Sequence, residues 1–179
     1  MKNPDRNKIS ILVVDDEPGI RNVLKITLES SGYNVSLAAD GESGLEMFNR
    51  ENPAIVITDI KMPGIDGIEL LRQIKDISPD TEVIMITGHG DMALAIKSLK
   101  HEAADFINKP IDNNDLEAAI DKACDRIRIT RNIQHYMDDL ETLVEEKDRK
   151  LSESESLVTI GMTIAGMSHA IKNIAGGLK

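Results

Sequence analysis

Three aspartates, a threonine and a lysine each stand at or just past the end of a short apolar run. Asp15 and Asp16 follow residues 9–14, Asp59 follows 54–58, Thr87 follows 81–86, and Lys109 comes just after 104–107. If those runs lie side by side, their polar followers meet at one edge. Carboxylates crowded there repel one another, and a hard divalent cation is the usual remedy. One or two carboxylates with retained waters suit Mg²⁺ better than an all-protein cage. A hydroxyl and an ammonium across the same pocket add donors matched to the equatorial oxygens of a phosphoryl group. A single strand-end aspartate often does no more than cap a helix. The five positions together point to Mg²⁺-assisted phosphoryl chemistry.

The elements that must position these residues can be read from hydrophobic spacing. The runs 9–14, 33–38, 54–58, 81–86 and 104–107 are short, apolar and rich in β-branched residues, as strands buried on both faces are. Helical spacing separates them: Ile20, Val23, Leu24, Thr27 and Leu28 after Pro18, a helix opened by Asp40 and running to Phe48, another over 68–77, and a short one over 91–100. Asp40 has the side chain of an N-cap. Ser31-Gly32, the Pro/Gly-bearing segment 62–67 and Gly88–Gly90 mark loops. Five βα units in 123 residues predict an α/β fold, a doubly wound five-stranded parallel sheet with helices on both faces. Such sheets bind ligands beyond the carboxyl ends of their strands, which is where the five polar residues fall.

Composition excludes several classes. The chain has 179 residues with 21 Lys and Arg against 31 Asp and Glu, a formal charge of −10. Residues 1–123 hold 13 basic and 22 acidic side chains, residues 124–179 hold 8 and 9, so the acidity belongs to the first part. That balance argues against nucleic acid or an anionic membrane face as partner. Aromatics make up 2% and Trp is absent, leaving almost nothing for bases to stack on. The lone Cys124 cannot form an internal disulfide, in keeping with a reducing compartment. No leader or membrane-spanning stretch is visible, and a cytoplasmic location is expected.

Beyond Asp112 neither a strand signal nor a proline occurs. A 3-4 spacing runs through Thr130, Ile133, Met137, Leu140, Val144, Lys147, Leu151 and Ser154, then resumes as Leu157, Ile160, Ile164, Met167, Ile171, Ile174 and Leu178. The successive three-residue steps at Leu151, Ser154 and Leu157 form a stammer. This predicts a dimeric coiled-coil helix. The expected organisation is a first domain over 1–123, a coiled-coil linker over 124–156 and a terminal helical segment over 157–179.

Asp15-Asp16-Glu17-Pro18, Asp59-Ile60-Lys61-Met62-Pro63-Gly64-Ile65-Asp66-Gly67, Thr87-Gly88 and Lys109-Pro110 together resemble the receiver domain of two-component response regulators. The segment 87–91 is similar to receivers of the nitrogen-regulation type. The resemblance covers about 8–123 and implies a flavodoxin-like receiver fold. It implies that Asp59 accepts a phosphoryl group, that Asp16 and Asp59 hold Mg²⁺ directly with the backbone carbonyl of Lys61, and that Asp15 acts through water. It further implies that Thr87 and Lys109 bind the phosphoryl oxygens, that Thr87 and Phe106 form a switch pair, and that the Lys109-Pro110 bond is cis. Its donor partner would be a cognate histidine kinase.

Residues 157–173 resemble the first dimerisation helix of sensor histidine kinases, on the apolar run before His169 and on Asn173 four residues later. With Met167 and Ile171 as d and a positions, His169 falls at the solvent-facing f position. Ala170 stands where that family carries an acidic residue, and Asn173-Ile174-Ala175 replaces its Asn-Pro-Leu. No nucleotide-binding motif is present. The expected function is therefore phosphorelay signalling, with phosphorylation of Asp59 passed through a dimeric coiled coil to a histidine-bearing kinase-like helix. The alternative is a stand-alone or truncated response regulator whose helix only dimerises. An aspartyl-intermediate phosphatase would need an acid two residues after the nucleophile, and position 61 is Lys.

Overall fold

A computed structural model describes residues 9–88 and 102–176; within 151–176 it describes the side-chain environment only of residues 162, 164, 166 and 167. The expected helix over 91–100, with His89 and His101, lies outside the described residues. The elements are β1 (Ser10–Val14), α1 (Pro18–Ser30), β2 (Asn34–Ala38), α2 (Gly41–Glu51), β3 (Ile55–Asp59), α3 (Gly67–Ile77), β4 (Glu82–Thr87), β5 (Asp105–Asn108) and α4 (Asn113–Gly176). The five strands form one parallel sheet in the order β2-β1-β3-β4-β5. This is the doubly wound arrangement expected, with every strand bound within a residue or so of its apolar run.

Strand periodicity explains why both faces are apolar. Ile11 and Val13 of β1, Ile55 and Ile57 of β3, and Ile84 and Ile86 of β4 point to one side. There they pack with Leu24 and Leu28 of α1 and with Leu116, Ile120, Ala123 and Ile127 of α4. The alternate residues Leu12, Val14, Val56, Val83 and Met85 meet Phe48 of α2 and Leu70, Leu71 and Ile74 of α3 on the other side. Side chains of successive strand residues point to opposite faces. A strand covered by helices on both sides therefore reads as a continuous apolar run.

The caps follow local chemistry. Asp40 accepts the Ser43 N–H at 2.8 Å to open α2, and Asp66 accepts the Glu69 N–H at 2.8 Å to open α3. Pro18 occupies the first turn of α1, where its missing N–H costs nothing.

By packing, the chain divides into two compact units, 1–131 and 132–179, with the boundary inside α4. In the second unit Ile133, Tyr136, Met137, Leu140, Leu143 and Val144 are exposed. No helix among the described residues is long and apolar enough to cross a membrane.

Candidate functional site

The carboxyl ends of β1, β3, β4 and β5 bring Asp15, Asp59, Thr87 and Lys109 to one edge of the sheet. Asp59 is the last residue of β3 and Thr87 the last of β4; both are buried. The Ile60 N–H donates to the Ile86 carbonyl at 2.9 Å, and the Lys109 N–H donates to the Thr87 carbonyl at 2.8 Å. These bonds carry the parallel register past the strand ends, so the side chains converge. The Lys109-Pro110 peptide is cis, as the resemblance implied.

Lys109 Nζ is the hub. It donates to Asp59 Oδ2 at 2.7 Å and to Glu17 Oε1 at 3.0 Å, and lies 3.4 Å from Asp15 Oδ2. Burial works hardest against its charge, but the bonds to Asp59 and Glu17 and the fields of Asp15 and Asp59 outweigh it. The ammonium is held above the ordinary lysine range. Asp15 is fully buried. Burial pushes its carboxyl up most strongly; the Glu17 N–H and Lys109 pull it back, and repulsion from Asp59 adds to the rise. Asp15 Oδ1 accepts the Glu17 N–H at 2.8 Å, while Oδ2 has no aligned hydrogen-bond donor.

Carboxylate oxygens of Asp15, Glu17 and Asp59 lie within 4.8 Å of one another. Three hard oxygen donors, among them the buried Asp15 Oδ2 that accepts no hydrogen bond from the described residues, form a set that fits a divalent cation such as Mg²⁺. The cluster differs from the expected one in a single member. Asp16, expected as a direct ligand, is exposed and outside this group, and Glu17, likewise exposed, is within it. Asp15 and Asp16 lie just past the end of β1, Asp15 with its side chain buried and Asp16 with its side chain exposed. Glu17 enters because the turn bonded to Asp15 Oδ1 folds the chain back at the start of α1.

The other expected residues are placed as follows. Lys61 lies exposed in the β3–α3 loop, where its N–H donates to Asp59 Oδ1 at 3.4 Å. Thr87 Oγ1 donates to the Gly88 carbonyl at 3.4 Å. Phe106 on β5 is paired in register with Met85 and is half-buried against the α2/α3 side of the core. His169 and Asn173 lie in α4 within the second unit, and their side chains fall outside the described residues. One residue had no signal in the spacing: Arg21 of α1 donates from Nη1 to the Asp15 carbonyl at 2.5 Å and anchors the β1–α1 turn.

The family model described as response regulator receiver domain matches residues 11–121. The chain belongs to the response regulator receiver family. Among curated relatives it is 33% identical to the transcriptional regulatory protein FixJ of Bradyrhizobium diazoefficiens, over 90% of this chain and 76% of FixJ. It is 38% identical to the C4-dicarboxylate transport transcriptional regulatory protein DctD of Pseudomonas aeruginosa, over 66% of this chain and 26% of DctD. A putative NtrX-like response regulator of Rickettsia conorii is 33% identical, over 89% of this chain and 33% of that protein. The chain thus spans about a quarter to a third of the length of the DctD and NtrX-like relatives. Among solved structures, NtrX from Brucella abortus matches with a TM-score of 0.67 at 35% identity, over 70% of this chain and 29% of that one. A receiver domain protein from Clostridium thermocellum matches with a TM-score of 0.66 at 40% identity, over 68% of this receiver chain and 98% of the other.

Proposed function

We propose that this receiver takes a phosphoryl group onto Asp59 from the phosphohistidine of a cognate histidine kinase, with Mg²⁺ in the site. The observation that carries the reading is Lys109 Nζ, 2.7 Å from Asp59 Oδ2 within the cluster of acidic side chains. A carboxylate oxygen of Asp59 attacks phosphorus in line. A new O–P bond forms, the bond from phosphorus to the donor nitrogen breaks, and the nitrogen keeps the electron pair; no separate base is needed because the nucleophile is already an anion. The Lys109 ammonium and the Thr87 hydroxyl are the chain's donors to the equatorial oxygens. Asp15, Asp16, Glu17, Asp59 and the Lys61 carbonyl are the groups that would hold Mg²⁺. Bound there, Mg²⁺ neutralises charge on the phosphoryl oxygens.

Phosphorylation of Asp59 would draw Thr87 and Lys109 towards the new oxygens and leave space beside β4 for Phe106 to turn inward. The same reading assigns α4 as the output: a homodimer through the exposed seam at Ile133, Met137, Leu140 and Val144, with 124–156 as linker. Residues 157–179 then form a kinase-like segment, with His169 and Asn173 as its candidate phosphotransfer pair. The names of the curated relatives favour a second reading, in which the output is transcriptional and lies in sequence beyond this chain, and α4 only dimerises. His169 separates the two. Acid-labile, base-stable label that is lost in His169→Gln supports the first, and label indifferent to that change supports the second.

The site itself is tested by incubating the chain with acetyl phosphate and Mg²⁺ and weighing it intact. The expected result is one added phosphoryl group in the wild type and none in Asp59→Asn or after chelation of the metal. Addition that persists in Asp59→Asn overturns the assignment.

A further inference from the structure

The turn between β3 and α3, residues 60–66, is pinned at both ends. The Lys61 N–H donates to Asp59 Oδ1 at 3.4 Å, and the Gly67 N–H donates to the Ile60 carbonyl at 3.0 Å. Its middle is held from a different element. The Ile65 N–H donates to Glu42 Oε1 at 3.3 Å, across 23 positions of sequence. Gly64 has φ of +76°, in the left-handed region that suits glycine. A Cβ built on it would lie 2.6 Å from Glu42 Oε1 and 2.9 Å from Oε2. The carboxylate therefore occupies the space left by the missing side chain. Beside it a Cβ on Gly41 would collide with the Ile65 carbonyl, so α2 and the turn are in direct backbone contact. Glu42 lies in the first turn of α2, where the helix dipole favours a carboxylate. It lies outside the acidic group around Lys109.

We infer that Glu42 is a positioning residue for metal binding: it clamps the turn that carries the Lys61 carbonyl. The inference rests on the proposed Mg²⁺ site and extends it to an element that contributes no ligand. Without the clamp, a turn containing a left-handed glycine gains conformational freedom, and binding a cation must pay to order it. Groups bonded directly to a metal's ligands typically change affinity about 10–100-fold when removed. Glu42 acts one step further out and through one exposed bond, so roughly three- to tenfold is expected from the same principle.

The test uses the full chain, unphosphorylated, with Mg²⁺ affinity measured by titration calorimetry. Glu42→Ala should weaken Mg²⁺ binding by about three- to tenfold with its far-UV circular dichroism unchanged. Glu42→Gln should stay near the wild type, because its amide oxygen still accepts the Ile65 N–H. Phosphorylation by acetyl phosphate should show the same split: more Mg²⁺ needed for half-maximal rate in Glu42→Ala, and an unchanged rate at saturating Mg²⁺. Wild-type affinity in Glu42→Ala, or equal loss in both variants, overturns the inference and leaves the site reading standing. A wild-type chain that takes up no Mg²⁺ overturns both.

Discussion

Removing the Lys109 ammonium should destabilise the receiver in a way that Mg²⁺ repairs. In Lys109→Met the acidic cluster keeps its three carboxylates within 4.8 Å and loses the cation 2.7 Å from Asp59, 3.0 Å from Glu17 and 3.4 Å from Asp15. Glu17, at 60% side-chain exposure, can swing into solvent, whereas Asp15 and Asp59 cannot. The attraction between Lys109 and Asp15 at 3.4 Å, which the variant loses, is about 5 kcal/mol at an effective dielectric near 20. Relaxation and the partial exposure of the pocket reduce that to a net loss of about 2 kcal/mol at neutral pH without metal. At roughly 3 °C per kcal/mol for a chain of this size, the melting midpoint should drop by about 6 °C. Scanning calorimetry of wild type and variant in chelator, then in saturating Mg²⁺, reads both values, and the metal should shrink the difference to under ~1 kcal/mol.

The pH dependence has a fixed sign. Asp15 has a raised folded-state pKa, so its charge costs stability above that value, and the cost disappears as pH falls below the ordinary 3.8. Loss of Lys109 raises it further, and the penalty of the variant should fade on acidification. Lys109 also has a raised folded-state pKa. Its contribution is complete below the ordinary 10.5 and is lost only as pH climbs through the folded-state value. A variant as stable as the wild type in chelator at neutral pH, or a penalty indifferent to Mg²⁺, would show that Lys109 does not offset the repulsion among these carboxylates.

Three further outcomes follow from packing. Gly67→Ala should cost about 1–3 kcal/mol and slow phosphorylation, because a Cβ there runs into the Asp59 carbonyl; urea unfolding and acetyl phosphate kinetics check it. Leu70→Ala empties a fully buried position between α3 and the sheet and should cost about 2–5 kcal/mol with Mg²⁺ affinity unchanged. The double change Met137→Glu with Leu140→Glu should convert a dimer at micromolar concentration to monomer by sedimentation, since both residues stand exposed on the α4 seam; a wild-type chain that sediments as a monomer contradicts the seam's role.

The central strands β1, β3 and β4 were legible because each is covered on both faces. Ile11 through Val14 are all buried although they point alternately to α1/α4 and to α2/α3, and this makes a continuous apolar run. The convergence of Asp15, Asp59, Thr87 and Lys109 was legible for the same reason, since parallel strands end at a common edge. Which of Asp15 and Asp16 turns inward was not legible. That choice depends on the turn in which Asp15 Oδ1 takes the Glu17 N–H, and the same turn brings Glu17 to Lys109. Glu42 was equally hidden, because its relation to Gly64 and Ile65 is a tertiary contact between α2 and a loop. The long uninterrupted helix could be read from the absence of proline and the 3-4 spacing, and α4 runs continuously from Asn113 to Gly176.

On the proposed function, phosphoryl transfer ends on one carboxylate among several packed together. Hydride reduction of the phosphorylated chain converts an aspartyl phosphate to homoserine, and peptide mapping then reports its position. Homoserine is expected at position 59 alone, dependent on Mg²⁺. Homoserine at position 15 or 16, or none after exposure to acetyl phosphate and Mg²⁺, would contradict the Asp59 assignment.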